Sequence, residues 1–330
     1  MQLTIPQNPM TTKNILVVGG AGYIGSLVNK TLHKAGYLTI VLDNLSSGRK
    51  EAIKCGTFIL GDCGDSACLD TLFQTHSIDA VMHFAAYTNV GESVLNPQKY
   101  YTNNVINTLT LLNAMVRHGV QRFVFSSSAA IFGTPLTPGP IQETHPCRPI
   151  NPYGETKWAV EKILRDYSEA YGLHYCNLRY FNAAGGDPEG EILSQNNQNL
   201  IPIILKNLRN RQKTTIFGTD YPTIDGTCVR DYIHIYDLAV AHLLALEKTL
   251  SNAPSSAYNL GNGQGFSIRQ VIRTAESVLK QQIPFNEGPR RAGDPPVLVA
   301  DAHKAHAELG WKPKYSDLES IISHAWKAFC

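Results

Sequence analysis

Short apolar runs alternate with helically spaced apolar positions through the first half of the chain. Ile15 to Val18 is a β-branched, wholly apolar run followed by glycines, the mark of a buried strand. From Tyr23 to Ala35 the apolar positions Ile24, Leu27, Val28, Leu32 and Ala35 recur at helical intervals, and Gly36 closes the predicted helix. Leu38 to Leu42 is a second buried strand, ending on Asp43, and Asn44 to Lys50 is a polar loop. Thr57 to Leu60 reads as a third strand ending at Gly61-Asp62, and Leu69 to His76 as a helix. Ala80 to Phe84 is a fourth strand, whose end, HFAA, leads into Tyr87 to Glu92. Pro97 to His118 reads as one long helix opened by its proline. Asn103 and Asn104 inside it are poor helix-interior residues, so one of the pair is expected to face a ligand unless it is a satisfied surface amide. Phe123 to Phe125 is a fifth strand that ends in Ser126-Ser127-Ser128. A proline-rich loop (Pro135 to Pro149), a helix (Asn151 to Tyr171) and a sixth strand (His174 to Leu178) follow. This alternation predicts an α/β fold, a Rossmann-type doubly wound parallel sheet.

From Asn182 onward the pattern is irregular. Ser194 to Asn199 is polar, Asn207 to Lys213 basic and Phe217 to Val229 rich in turn residues. Arg230 to His234 is strand-like, Asp237 to Leu250 helical, Ala257 to Leu260 a strand that returns to the sheet, and Ser267 to Leu279 a helix. The division expected is a loosely ordered extension (1–13), a dinucleotide-binding domain (14–182) and a smaller mixed α/β substrate-binding lobe (183–330), with parts of 231–262 crossing back.

Composition narrows the classes. With 330 residues the chain buries a large core. A formal charge of +2 without a basic cluster gives no reason to expect nucleic acid or an acidic membrane surface as partner. No apolar run reaches the length of a membrane span, and the first residues hold no apolar signal core; Met10 is an alternative start. Seven scattered cysteines without a CxxC fit free thiols in a reducing compartment better than disulfides or a metal site, which makes the cytoplasm the default location.

The chemistry begins between the first strand and the first helix. Gly20-Ala21-Gly22-Tyr23-Ile24-Gly25 fits G-x-G-x-x-G, and counting from Gly19 the run is G-x-x-G-x-x-G. The first glycines permit a tight turn and close approach of backbone to a pyrophosphate, and the last permits close helix–strand packing. Asp43 ends the second strand eighteen residues past Gly25, where a carboxylate accepts hydrogen bonds from an adenosine ribose and repels a 2′-phosphate; this favours NAD over NADP. Asp62 is either a contact to the adenine edge or a turn aspartate. Tyr153 and Lys157, four apart on a predicted helix, share a face downstream of the serine triplet. A lysine ammonium and the positive nicotinamide ring are expected to lower the phenol's pKa, so that Tyr153 takes a proton from a sugar hydroxyl as hydride leaves the same carbon. A serine of the triplet, Ser128 foremost, is placed to hydrogen-bond that hydroxyl and the developing carbonyl.

The succession GGAGYIG, LDN, GD, HFAA, NN, SSS and YGETK resembles the extended short-chain dehydrogenase/reductase family. VGESV (Val90 to Val94), RYFNAAG (Arg179 to Gly185), IFGTDYPTIDGTCVRDYIH (Ile216 to His234) and RRAGD (Arg290 to Asp294) narrow the resemblance to its UDP-glucose 4-epimerase branch, over nearly the whole chain from Lys13. The resemblance implies that Gly19, Gly22, Tyr23, Ile24, Gly25, Asp43, Asn44, Asp62, Phe84, Ala85, Asn103 and Lys157 hold NAD and that Tyr180 lies beside the nicotinamide. It implies catalytic roles for Ser128, Tyr153 and Lys157, and a UDP-sugar held by Asn182, Asn199, Leu200, Phe217, Arg230, Arg291 and Asp294. The forked donors of Arg230 and Arg291 suit a diphosphate and Asp294 suits a ribose diol. The implied reaction is reversible inversion at C4, UDP-galactose to UDP-glucose, through a 4-keto sugar; the implied assembly is a homodimer joined through Pro97 to His118 and Asn151 to Tyr171.

Two positions depart from the resemblance. Thr88 stands where many relatives carry lysine. Leu298 stands where relatives restricted to hexoses carry tyrosine, and the smaller residue suggests tolerance of UDP-N-acetylhexosamines. A preference for UDP-pentoses such as UDP-xylose and UDP-arabinose is a further alternative. A 4,6-dehydratase or decarboxylase is disfavoured because Ser128-Ala129-Ala130-Ile131 holds no carboxylate, and a non-enzymatic NAD-binding sensor because Tyr153 and Lys157 are both present.

Overall fold

The computed structural model describes residues 13–192, 199–291 and 294–329. Strand β1 (Asn14–Val18) enters the glycine turn, from which α1 (Gly25–Lys34) leads to β2 (Leu38–Asp43) and β3 (Thr57–Leu60). Asp65 caps α2 (Ser66–Thr75) by accepting from the Ala67 and Cys68 N–H groups, and β4 (Ala80–His83) follows. Next come α3 (Val90–Leu95), α4 (Pro97–Tyr101), a π-helical turn over Thr102–Ile106, and α5 (Asn107–Arg117). Strand β5 (Arg122–Ser128), α6 (Pro152–Tyr171) and β6 (His174–Tyr180) complete the first half. The remainder comprises β7 (Asn182–Ala184), α7 (Leu200–Arg209), β8 (Thr214–Phe217), β9 (Val229–His234), α8 (Ile235–Leu250), β10 (Ser256–Leu260), β11 (Gly265–Ser267), α9 (Ile268–Leu279), β12 (Phe285–Gly288), β13 (Val297–Leu298), α10 (His303–Leu309) and α11 (Leu318–Phe329).

Seven parallel strands form the main sheet in the order β10-β6-β5-β4-β1-β2-β3. The order reverses between β1 and β4, the switch point where ligands bind beyond strand carboxyl ends. Alternation along β1 shows how both faces are filled. Ile15 and Val17 join a core with Leu27, Val28 and Leu32 of α1 and Leu238 and Leu246 of α8. Leu16 and Val18 point the other way, into a core with Leu69 of α2, Leu111 and Met115 of α5 and Val160 and Leu164 of α6. A smaller sheet gathers β11, β9, β13 and β7, beside a two-stranded β12-β8 pair. Its core takes Ile201, Ile204 and Leu205 of α7, Val271 and Ile272 of α9, and Ile321 and Ile322 of α11. The chain passes from one sheet to the other within three residues. Tyr180 ends β6, Phe181 donates its N–H to the Leu260 carbonyl of the main sheet, and Asn182 starts β7 against β9.

Several expectations need correction. The helix predicted from Pro97 to His118 is interrupted by the π-turn holding Asn103 and Asn104, and its α-helical part stops at Arg117. The first helix starts at Gly25, after a non-helical turn at Tyr23, rather than at Tyr23. The fifth strand runs through all three serines, because Ser126 to Ser128 pair in register with Leu178 to Tyr180. Helices α7, α10 and α11 replace stretches read as irregular. The extension 1–12, Cys330 and most of the polar run from Ser194 fall outside the described residues.

Candidate active site

A cavity of about 590 Å³ opens along the carboxyl ends of the main sheet's strands and runs to the small sheet. Its first wall is the glycine turn. Gly19 has φ +81°, and a Cβ there would fall 2.4 Å from the Ala85 nitrogen, so the turn and the end of β4 approach as only glycine allows. A Cβ on Gly25 would meet the Gly19 carbonyl oxygen at 2.3 Å, the close packing expected of the motif's last glycine. Gly22 lines the cavity, with only the Gly19 oxygen near where its Cβ would be. The N-terminus of α1 has no side-chain cap and no acidic residue in its first turn, so its backbone donors and positive dipole end are left to an anion. The Asp43 carboxylate accepts from the Ala21 N–H (2.9 Å) and the Leu45 N–H (2.8 Å), fixing the end of β2 beside the turn. Asn44 donates to Asp62 Oδ2 (2.7 Å), whose other oxygen accepts from the Gly64 N–H (2.7 Å). Asp62 is therefore a turn aspartate that also lines the cavity. A glycine cradle, an uncapped helix start and a carboxylate at the end of β2 together fit a dinucleotide's pyrophosphate and adenosine ribose.

Asn104 is buried in the π-turn, bonded to the Tyr87 backbone at both N–H (2.9 Å) and C=O (3.0 Å) and to Thr156 Oγ1 (3.1 Å). That leaves Asn103, which donates to Asn104 Oδ1 (3.0 Å), as the member of the pair facing the cavity. Tyr23 and Ile24 of the glycine turn, Phe84 and Ala85 after β4, and Thr88 line it as well.

The reacting end is built by β5, α6 and β6. Asn151 caps α6 through the Gly154 N–H (2.9 Å), so Tyr153 and Lys157 project from the helix's first two turns toward the end of β5. Tyr153, 9% exposed, hydrogen-bonds Ser128, whose Oγ also accepts from the Ala130 N–H (3.2 Å). The Lys157 ammonium donates to the Ser126 carbonyl (2.7 Å) and lies 4.8 Å over the Phe125 ring. Burial pushes Lys157 down to about 7, against the pull of the Glu161 carboxylate. Burial also raises the Tyr153 phenol, and the Ser128 hydrogen bond only partly offsets this. The expected lowering by Lys157 is therefore not a property of the protein alone. Its ammonium is spent on Ser126 while desolvation penalises the phenolate.

Sequence reading missed the support behind this face. Glu161, four residues past Lys157, accepts from Ser127 Oγ (2.5 Å) and from Arg179 Nε (3.0 Å) and Nη2 (2.7 Å). This buried network ties α6 to β5 and β6. The available signal was the i, i+4 continuation from Tyr153 through Lys157 to an acidic residue. Tyr180 lines the cavity beside Ser128.

Of the residues expected to hold a sugar nucleotide, Asn182, Asn199, Asp294 and Leu298 line the cavity, and Asn199 donates to the Ala183 carbonyl (2.9 Å). Leu200, Phe217, Arg230 and Arg291 do not line it. Leu200 packs against the small lobe's core. Arg291 stacks on Phe217, 4.1 Å from the ring centroid. Arg230 forms an ion pair with Asp294 instead of each awaiting its own ligand group, because a guanidinium 8% exposed needs a counter-charge.

The sequence model of the NAD dependent epimerase/dehydratase family matches residues 15–261. The chain belongs to that family. A UDP-glucose 4-epimerase of Halalkalibacterium halodurans is 52% identical over 315 residues, 94% of either chain. The crystal structure of a UDP-glucose 4-epimerase from Brucella ovis in complex with NAD superimposes with a TM-score of 0.93 at 45% identity, covering 96% of this chain and 98% of that one. A UDP-glucose 4-epimerase from Stenotrophomonas maltophila, solved with bound NAD and formylated UDP-arabinopyranose, gives 0.92 at 39% identity, with 96% and 97% covered. Membership of an NAD-dependent family agrees with the fit of the glycine turn and Asp43.

Proposed function

We propose that this protein interconverts UDP-galactose and UDP-glucose by inverting C4, with NAD as its cofactor. The observation that carries the reading is one cavity lined at one end by the glycine turn and Asp43 and at the other by Ser128, Tyr153 and Lys157. The glycine turn and Asp43 would hold NAD, which would supply the acceptor and donor of hydride for C4 and a positive charge that favours the Tyr153 phenolate. The chain's residues do the rest. Tyr153, as the phenolate that such a charge would favour, takes the 4-hydroxyl proton and gives it back to the sugar. Ser128, already bonded to Tyr153, steadies the hydroxyl and then the carbonyl oxygen. Asn182, Asn199 and Asp294, the last fixed by its ion pair with Arg230, anchor the nucleotide, so that remote binding energy holds the ligand while the hexose turns.

The test is UDP-glucose formation from UDP-galactose by purified protein, followed with a coupled dehydrogenase. Tyr153→Phe is expected to lose about 10³-fold in kcat, the scale of general acid–base catalysis. No formation even with added NAD would remove the hexose reading. The N-acetylhexosamine reading rests on Leu298, which lines the cavity beside Asp294 and Pro295. Leu298→Tyr is expected to depress turnover of UDP-N-acetylglucosamine while sparing UDP-glucose.

The assembly we propose is a homodimer packed through α4, α5 and α6. Tyr101 of α4 and Ile106 of the π-turn leave 41% and 55% of their surfaces exposed, apolar area that such packing would cover. Ile106→Glu is expected to shift the mass in light scattering from dimer to monomer. Six free thiols among the described residues suit a reducing cytoplasm.

A further inference from the structure

His242 lies behind the cavity wall, in α8, with no exposed surface and outside the cavity lining. Its Nδ1 is 2.7 Å from the Leu238 carbonyl and its Nε2 is 2.5 Å from the Tyr180 hydroxyl. A carbonyl only accepts, so Nδ1 carries the hydrogen, and a neutral ring then leaves Nε2 to accept the Tyr180 O–H. Burial pushes the imidazole down to about 4, which keeps it neutral at physiological pH. The ring also packs against Phe84 (4.8 Å between centroids) and edge-on to Tyr180 (5.4 Å). Phe84 and Tyr180 both line the cavity, so one imidazole backs two of its aromatic side chains. Two phenols thus stand at the reacting end: Tyr153, bonded to Ser128, and Tyr180, whose backbone is paired in register with Ser128.

We propose that His242 is a positioning residue: by accepting the Tyr180 O–H it turns that hydroxyl out of the cavity, presents the ring to the nicotinamide, and leaves Tyr153 the one phenol that exchanges a proton with the sugar. The proposal rests on the epimerase reading above. Without the imidazole, a buried hydroxyl turns to its other partner, the Ser126 side chain, which itself lines the cavity, so the phenol is drawn toward the cavity and the ring tilts.

The test uses the NAD-loaded enzyme and two readouts. His242→Leu is expected to lower kcat about tenfold, the scale of a small misplacement at a reacting centre, with KM within about twofold. Adding Tyr180→Phe to His242→Leu should restore most of the loss, because the stray hydroxyl is gone. His242→Gln, whose amide oxygen is an acceptor, should stay within about threefold of the parent. Independently of turnover, the emission of NADH bound in place of NAD should shift in His242→Leu and revert in His242→Gln. Parent-like kcat and emission in His242→Leu would overturn the proposal. So would a double variant as slow as His242→Leu, which would assign the effect to packing alone. If His242→Leu does not fold, His242→Phe, which keeps an aromatic ring and removes the acceptor, decides: a loss of about tenfold in kcat with shifted NADH emission supports the proposal, and parent-like kcat and emission overturn it. A parent enzyme that turns over no UDP-sugar would remove the epimerase reading, while the emission shift would still test the wall.

Discussion

Lys157 shows what the site asks of a single residue. Its side chain is 3% exposed and its ammonium meets the Ser126 carbonyl. A lysine whose folded pKa falls to about 7 from 10.5 binds its proton less tightly folded than unfolded. The burial penalty is therefore fully present below about pH 7 and is relieved as the pH rises toward the unfolded value. Lys157→Met is expected to lose about 10²-fold or more in kcat. Its Tm at pH 7 should equal or exceed the parent's, and the parent should close the gap as the pH is raised from 7 toward 10. A Tm lowered by several degrees at pH 7 would show that the lysine stabilises the fold. Tyr153, Lys157 and Asp43 were legible because each is defined by local spacing. Glu161 and His242 were not: their hydrogen-bond partners Ser127 and Tyr180 lie 34 and 62 positions away in sequence.

Among the elements, the π-turn between α4 and α5 has a clear physical cause. A wider turn sets Asn104 inward, where four hydrogen bonds to Tyr87, Asn103 and Thr156 satisfy its amide, and leaves its neighbour Asn103 at the cavity. Asn104→Ala leaves the Tyr87 backbone groups unpaired and is expected to destabilise by about 2 kcal/mol in urea unfolding. A change below about 0.5 kcal/mol would mean that the turn holds itself. The two asparagines signalled this site, but the change of helical pitch did not show in apolar spacing. Helix α7 is the opposite case. Leu200, Ile201, Ile204, Leu205 and Leu208 do carry the helical period, and Pro202 sits in its first turn, where no intrahelical donor is lost. It read as irregular because its apolar face packs on a core assembled from distant segments, β8, α9 and α11.

In the whole molecule, the glycine helix is clamped to the chain leaving β7. The Tyr23 hydroxyl donates to the Gly185 carbonyl (2.7 Å), and Lys30 pairs with Asp187 (2.7 Å), Glu189 (2.7 Å) and Glu191 (2.8 Å). Lys30 and Asp187 are both buried, so Lys30→Met leaves the Asp187 carboxylate to the Glu189, Glu191 and Ile192 N–H groups alone and is expected to destabilise by about 2 kcal/mol in denaturant unfolding at pH 7. The Lys30 and Lys34 ammonium groups hold the Glu189 carboxyl at about 2, below its ordinary 4.5. Its contribution is complete above about pH 4.5 and is lost as the pH falls through about 2. The stability difference between parent and Lys30→Met should accordingly narrow between pH 5 and 2; a constant difference would sink the clamp.

The sequence by itself determined the parallel sheet, the glycine turn, Asp43 at the end of β2 and the Tyr153–Lys157 face, because each depends on near neighbours and on the periods of strand and helix. Only the tertiary structure decided which asparagine faces the cavity, that Arg230 and Asp294 neutralise each other, and what stands behind Lys157 and Tyr180. Those outcomes depend on burial, which raises the energy of every unpaired polar group and so selects its partner from whatever the fold brings near.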